Sequence, residues 1–274
     1  MGRVLNWFDS VENDLGKLKS LGLGVFGPLD LDCNSITFGS IKTTSKVGWS
    51  NVNIIQQLSD RFGVPIGFNT DVNAAAFGES FFGDNQDLEM LLYITIGTGV
   101  GVSAIYRGEA LFNQSHLEAG QMLLPELHYK NLRGSCKFHR NCWEGFCSGK
   151  SIEARTNLCP SDIPGDHVVW KEMIEHTSMA IYNMMISLSP DKVILAGGVT
   201  KMGLGRRDLF FQKLSKGVEL YNSRYSTKSL NSNTIQPPSL GDKSGIYGAF
   251  YIGDQAYVKS RFSKAQYFLI NGKE

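Results

Sequence analysis

The densest chemistry in this chain lies between His116 and Gly145, in the stretch HLEAGQMLLPELHYKNLRGSCKFHRNCWEG. Cys136, His139 and Cys142 are spaced Cys-x2-His-x2-Cys, and His128 lies eight residues upstream of Cys136. Zinc takes four soft or borderline donors in a tetrahedron, and short Cys/His spacings let one loop supply most of them. Glu118 and Glu144 frame the loop. One reading is a structural Zn2+ on Cys136, His139, Cys142 and His128, stiffening the loop and aiming the two carboxylates at a ligand. The other is a polar surface loop with incidental cysteines. Three donors within seven residues favour the metal.

Three further places could do chemistry. Asp71 follows the apolar stretch Val64–Phe68 and opens an alanine-rich segment. The free N–H groups of a helix start favour an ionised carboxylate, and such a group can take a proton from a substrate hydroxyl. A plain N-cap is the competing role, and the two are compatible. Gly97-Thr98-Gly99-Val100-Gly101 is a glycine-rich turn whose bare backbone can approach phosphate oxygens, with the Thr98 hydroxyl as an added donor. A tight hairpin would use the same glycines. The turn is not the dinucleotide fingerprint, since a strand follows it, nor a Walker loop, since no Gly-Lys-Ser/Thr follows. Gly197-Gly198 also follows an apolar run. A planar base or a phosphate could pack there, or the chain could simply turn.

These residues need elements to hold them. Apolar spacing predicts a helix over 3–19, with Val4, Leu5, Phe8, Val11, Leu15 and Leu18 near one face. A strand over 21–26 follows, closed by the turn Gly27-Pro28-Leu29-Asp30. Then come a helix over 51–62, a strand over 64–68 and a helix over 72–82. Strands over 91–96 and 102–106 flank the glycine turn. Helical stretches are expected from 145, over 168–189, over 207–221 and over 246–256, with a strand over 193–196. The methionine-rich stripe of 168–189 reads as core. This alternation predicts an α/β protein with a parallel sheet.

A chain of 274 residues, 42% hydrophobic, can bury one large core or two lobes. The net charge of +1 gives no electrostatic case for nucleic acid or an anionic membrane as partner. Five cysteines, an odd number, fit a reducing compartment better than a disulfide framework. No apolar run approaches a membrane span, and the first residues lack a signal-peptide core. A cytoplasmic enzyme or binding protein is the expectation.

Taken in order, the motifs resemble the ROK family (repressors, open reading frames and sugar kinases) of the actin-like ATPase superfamily, and within it the zinc-containing fructokinases. The residues that carry this are Gly27-Pro28-Leu29-Asp30, Lys42-Thr43-Thr44 to Trp49, Asp71 to Glu79, Ile96 to Gly101, His116 to Gly120, Cys136 to Gly145, Ala196 to Val199 and Leu240-Gly241-Asp242. The resemblance implies the two-lobe, ribonuclease H-like α/β fold of that superfamily. It sets an N-terminal lobe at 1–90 and a C-terminal lobe at 91–274 that carries the zinc loop 116–145. It implies phosphorylation of a sugar by ATP with Mg2+, D-fructose by preference, with glucose or mannose as the alternative. Asp71 matches the catalytic base. Glu118 and Glu144 match sugar ligands, and Asn73 belongs with the substrate-binding residues. Gly97, Thr98, Gly99 and Gly101 match a phosphate loop, and Gly197 and Gly198 an adenosine contact. A homodimer is the association common in the family.

Three departures accompany the resemblance. The family's opening Asp-x-Gly-Gly-Thr, its first phosphate loop, has no counterpart before the helix at 3–19, so the N-terminal lobe is expected to lack its first strands. That leaves a non-catalytic sugar-binding protein or a fragment of a fructokinase as a second reading. Gly120-Gln121 stands where the family has Gly-His, whose histidine is usually a zinc ligand; glutamine is a poorer one. Thr70 stands where many members have Asn. A repressor would need an N-terminal helix-turn-helix, for which the residues before Leu21 leave no room.

Overall fold

A computed structural model describes residues 1–44, 46–111, 116–127, 134–202, 207–225, 231 and 233–262. Along the chain the elements are α1 (Gly2–Leu15), β1 (Leu21–Val25), α2 (Ile54–Phe62), β2 (Ile66–Thr70), α3 (Asp71–Phe81), β3 (Met90–Ile96), β4 (Val100–Tyr106) and β5 (Glu109–Ala110). They continue with α4 (Trp143–Cys147), α5 (Gly149–Thr156), α6 (Val168–Leu188), β6 (Lys192–Ala196), α7 (Gly198–Met202), α8 (Arg207–Asn222), β7 (Ile235–Gln236) and α9 (Ser244–Arg261). They form two compact units, one of residues 1–86, 110–116 and 242–274, the other of 87–109 and 117–241.

In the first unit β1 and β2 run parallel, with Leu21 opposite Ile66 and Val25 opposite Thr70. The connection between them passes through α2, which starts where the Asn53 side chain accepts the Gln56 N–H and ends at Gly63 in the left-handed conformation. Leu21, Leu29, Leu31, Ile41, Ile54 and Leu58 make the core, and Leu5 and Phe8 of α1 cover it. Each such side chain contributes roughly 1.5–3 kcal/mol when fully removed from water. Leu15, expected near the same face of α1 as Leu5 and Phe8, is exposed at the last helical position, before Gly16.

Helix α9 crosses β1, β2 and α3 at backbone distance. A Cβ placed on Gly248 would lie 1.6 Å from the Ala74 carbonyl oxygen, and one on Gly78 2.0 Å from that of Ser244. Only glycine allows two helices this close. The same crossing buries the Glu79 carboxylate, which accepts the Ser244 hydroxyl at 2.7 Å.

The second unit holds a five-stranded sheet in the order β5-β4-β3-β6-β7. Strands β3 and β4 are an antiparallel hairpin, whereas β3, β6 and β7 are parallel, so the sheet is mixed. Apolar side chains of β3 and β6 are buried almost throughout, as strands covered on both faces require. Helices α6 and α8 pack together, and Met173, Met184 and Met185 lie in the core.

Candidate active site and metal loop

In the first unit, β2 delivers the chain to α3. The N-cap of α3 is Thr70, whose Oγ1 accepts the Asn73 N–H at 3.1 Å. Asp71 is therefore the first helical residue, not the cap, and its carboxylate accepts the adjacent Val72 N–H at 2.9 Å. The cap role weighed for it from the sequence passes to Thr70, one residue earlier. Loss of hydration raises the Asp71 carboxyl above the ordinary carboxylate range, while the Val72 N–H and the nearby Lys46 and His116 pull it back down. Lys46 is held with its ammonium 3.3 Å from the Phe26 ring centroid. Asn73 is buried, and its side-chain amide donates to Asn69 Oδ1 at 2.8 Å. Neither Asn69 nor Lys46 was singled out from the sequence, although Lys46 lies inside the Lys42-to-Trp49 motif and Asn69 stands two residues before Asp71.

In the second unit, Ile96 pairs with Val100, which leaves Gly97, Thr98 and Gly99 as a three-residue turn. Gly97 lends its carbonyl oxygen to the Gly149 N–H at 2.7 Å, so the start of α5 rests on the turn. The neighbouring parallel strand β6 ends in register, Thr95 opposite Ala196. Gly197 and Gly198 thus emerge beside the turn, and Gly197, at φ +100°, lies so close that a Cβ would sit 2.2 Å from the Ile96 carbonyl oxygen. Both glycine segments lie at the carboxyl ends of adjacent strands, where open α/β sheets bind ligands. Gly198 begins the short helix α7, an element the sequence reading did not foresee; the Thr200 hydroxyl donates back to the Gly197 carbonyl at 2.8 Å.

Glu144 reaches the same turn. Its Oε2 accepts the Val100 N–H at 2.9 Å, and a Cβ on Gly99 would lie 2.6 Å from that oxygen. Glu144 is the second residue of α4, whose N-cap is Cys142. Glu118 is exposed at the start of the 3-10 turn Ala119–Gln121. Gly101 continues β4 opposite Thr95.

The metal loop is closed at its base by antiparallel pairing. Leu124 N–H donates to Asn141 at 2.8 Å, and Trp143 N–H to Met122 at 2.9 Å. Beyond that base, donor atoms of Cys136, His139 and Cys142 lie within 4.8 Å of one another. Backbone N–H groups point at both sulfurs, Phe138 to Cys136 at 3.4 Å and Gly145 to Cys142 at 3.3 Å. Burial pushes the Cys142 thiol up to about 11, and Cys136 and Glu144 add to the rise, whereas the Gly145 N–H opposes it. The donor set fits zinc, which binds thiolate and imidazole and displaces the thiol proton. His128 lies outside the described residues. Gln121, set aside in the sequence reading as a poor ligand, turns its side chain toward the cluster: Oε1 is 3.3 Å from His139 Nδ1 and 3.7 Å from Cys136 Sγ.

Two glycine segments thus end adjacent strands of an α/β sheet, with a carboxylate fastened beside one of them, at the edge where such sheets bind ligands. The chain belongs to the ROK family, whose sequence model matches residues 3–256. It is 40% identical over 245 residues to the fructokinase of Lactococcus lactis subsp. cremoris, covering 89% of this chain and 82% of that protein. To the fructokinase of Pediococcus pentosaceus it is 34% identical over 237 residues, covering 86% and 81%. Among solved structures, the ROK hexokinase from Thermus thermophilus superposes with a TM-score of 0.75 at 21% identity, over 93% of this chain and 86% of that one. A ROK glucokinase from Streptomyces griseus, in complex with glucose and AMPPNP, gives 0.66 at 19% identity, over 93% and 88%. The fold is accordingly the actin-like ATPase fold.

Proposed function

We propose that the protein is a fructokinase: it transfers the terminal phosphoryl group of MgATP to D-fructose, giving fructose 6-phosphate and ADP. The observation that carries this reading is the similarity to curated fructokinases over more than four fifths of both chains. The glycine turns at the strand ends support it, because phosphoryl transfer needs alignment and charge stabilisation more than covalent chemistry.

In this reading the sugar hydroxyl attacks the γ-phosphorus, the bond from γ-phosphorus to the bridging oxygen breaks, and ADP leaves. Asp71 orients the hydroxyl and accepts its proton late in the transfer. The raised carboxyl supports that role, since a proton acceptor works best when its affinity for protons approaches the working range. Glu118, Glu144 and Asn73 hold the sugar. Gly97, Thr98, Gly99 and Gly101 face the phosphates of MgATP, and Gly197 and Gly198 the adenosine. Cys136, His139 and Cys142 hold a structural zinc, which supplies a rigid cross-link of the loop that carries Glu144.

The described residues contain no helix long and apolar enough to cross a membrane. The free cysteines fit a cytoplasmic protein, and a homodimer is the expected association, readable by light scattering.

The test is to incubate the purified protein with ATP, Mg2+ and fructose, glucose or mannose in turn, and to assay both ADP and sugar phosphate. Fructose 6-phosphate as the main product is expected. ADP without sugar phosphate, or no product above a sugar-free blank, overturns the kinase reading. A higher kcat/KM on glucose or mannose moves the protein to a hexokinase of the same family.

A further inference from the structure

Gln121 is placed with unusual care for a residue in a loop. Its 3-10 turn lies on β4 because residue 120 is glycine; a Cβ there would be 2.2 Å from the Val100 carbonyl oxygen. Its Nε2 donates to Glu144 Oε1 at 3.2 Å. An ionised carboxylate only accepts hydrogen bonds, so this contact sets which end of the amide is which. The carbonyl oxygen is left facing Cys136 and His139.

We infer that Gln121 is the fourth protein ligand of the metal loop through Oε1, and that its Nε2 ties the metal to Glu144. The inference rests on reading Cys136, His139 and Cys142 as a zinc site. With ordinary zinc bond lengths, a tetrahedron has oxygen-to-nitrogen edges of about 3.4 Å and oxygen-to-sulfur edges of about 3.6 Å. Gln121 Oε1 lies 3.3 Å from His139 Nδ1 and 3.7 Å from Cys136 Sγ. These contacts are therefore ligand-to-ligand edges as well as hydrogen-bond distances. Backbone donors already oriented at both sulfurs provide the outer support that metal-bound thiolates use. A carbonyl oxygen is a harder donor than imidazole, so the set is two sulfurs, one nitrogen and one oxygen, and it binds zinc less tightly than one with a second histidine.

The same carboxamide bridges two sites. One end sits at the metal and the other at the carboxylate that accepts the Val100 N–H. Metal binding then stiffens the glycine turn through a single side chain.

The test uses the full chain, stripped with a chelator under reductant and reloaded with Zn2+ or Co2+. The wild type is expected to take one equivalent and to show the intense visible band of tetrahedral cobalt. Gln121→Ala should bind zinc about 10–100-fold more weakly, in competition with a chromophoric chelator, and shift the cobalt band. Gln121→His should bind more tightly than the wild type. In hydrogen exchange, metal should protect the peptide spanning 97–101 in the wild type and less so in Gln121→Ala. Unchanged affinity and cobalt spectrum in Gln121→Ala would show that solvent, not Gln121, is the fourth ligand. A wild type that stays empty while Gln121→His fills also overturns the ligation. Equal protection of 97–101 in both proteins overturns the bridge alone. If neither the wild type nor Gln121→His binds metal, the zinc reading of the loop itself falls.

Discussion

Glu144 accepts the backbone N–H of Val100 at 2.9 Å, joining residues 44 positions apart. The bond fastens the metal loop to the first residue of β4, immediately after the glycine turn. It satisfies a buried backbone donor at a place where the hairpin's own ladder ends. It also limits where the carboxylate can be presented to a ligand.

Glu144 therefore has a structural contribution beside the sugar contact proposed for it, and two substitutions address both. Glu144→Ala leaves the Val100 N–H without its charged acceptor and should cost about 1.5–3 kcal/mol in urea unfolding. Glu144→Gln keeps an acceptor oxygen and should cost about half of that. Both should weaken fructose binding at least tenfold, measured by calorimetry, if the carboxylate holds a sugar hydroxyl.

The second prediction concerns the proposed base. Asp71→Asn should lower kcat by at least about a hundredfold while leaving fructose affinity nearly intact. Lys46 and His116 hold the Asp71 carboxyl down against its loss of hydration. Lys46→Met should thus raise that carboxyl further. The acidic limb of the kcat/KM profile, where a base is lost to protonation, should move to higher pH. A limb that stays in place would remove Lys46 from the electrostatics of Asp71.

The third prediction is a pH-dependent stability. Arg155 meets Glu172 at 3.3 Å, with side chains only 5% and 1% exposed. Burial pushes the Glu172 carboxyl up to about 7, although the Arg155 charge pulls the other way. A carboxyl raised on folding contributes stability that is complete below its unfolded value and lost as pH rises through the folded one. His176, pushed down to about 4 by burial, has the opposite sign, its contribution being lost as pH falls through the folded value. The two slopes largely offset each other in mild acid, so variants are compared at fixed pH. Arg155→Met should cost about 3–5 kcal/mol at about pH 8, where it strands the Glu172 charge, and clearly less at about pH 5, where the carboxyl holds its proton. Urea unfolding at the two pH values checks this.

The fourth prediction tests the helix crossing. Gly248→Ala forces a methyl into the Ala74 carbonyl oxygen, 1.6 Å away, and should cost about 3 kcal/mol or more. Gly245, on the same helix, has nothing within 4 Å of its Cβ position. Gly245→Ala should be neutral or stabilise by up to about 1 kcal/mol, since alanine is the better helix former. Thermal melting of the two variants gives the contrast.

Several placements at the candidate site were legible from local spacing. Cys136, His139 and Cys142 converge because residues three apart can share a face of a tight loop, which any compact conformation preserves. Asp71 was legible as the residue between a strand and a helix, and only the cap was assigned one position late. The glycine turn was legible because short apolar runs bounded by glycines, the mark of buried strands, flank it on both sides.

The rest depends on residues far apart in the chain. That Gln121 faces the cluster follows from a turn seated on Val100, and that Glu144 reaches Val100 follows from the packing of α4. The contact of Ser244 with Glu79 spans 165 positions, and Asp191 accepts N–H groups of Glu89 and Met90 about a hundred residues away. By itself the sequence determined most of the longer elements, their turns and the three-donor motif, because backbone sterics and short-range hydrogen bonds act between near neighbours. Only the tertiary structure decided which carboxylate meets which turn and what stands as the cluster's fourth neighbour, because those contacts form when distant segments compete to bury the same surface.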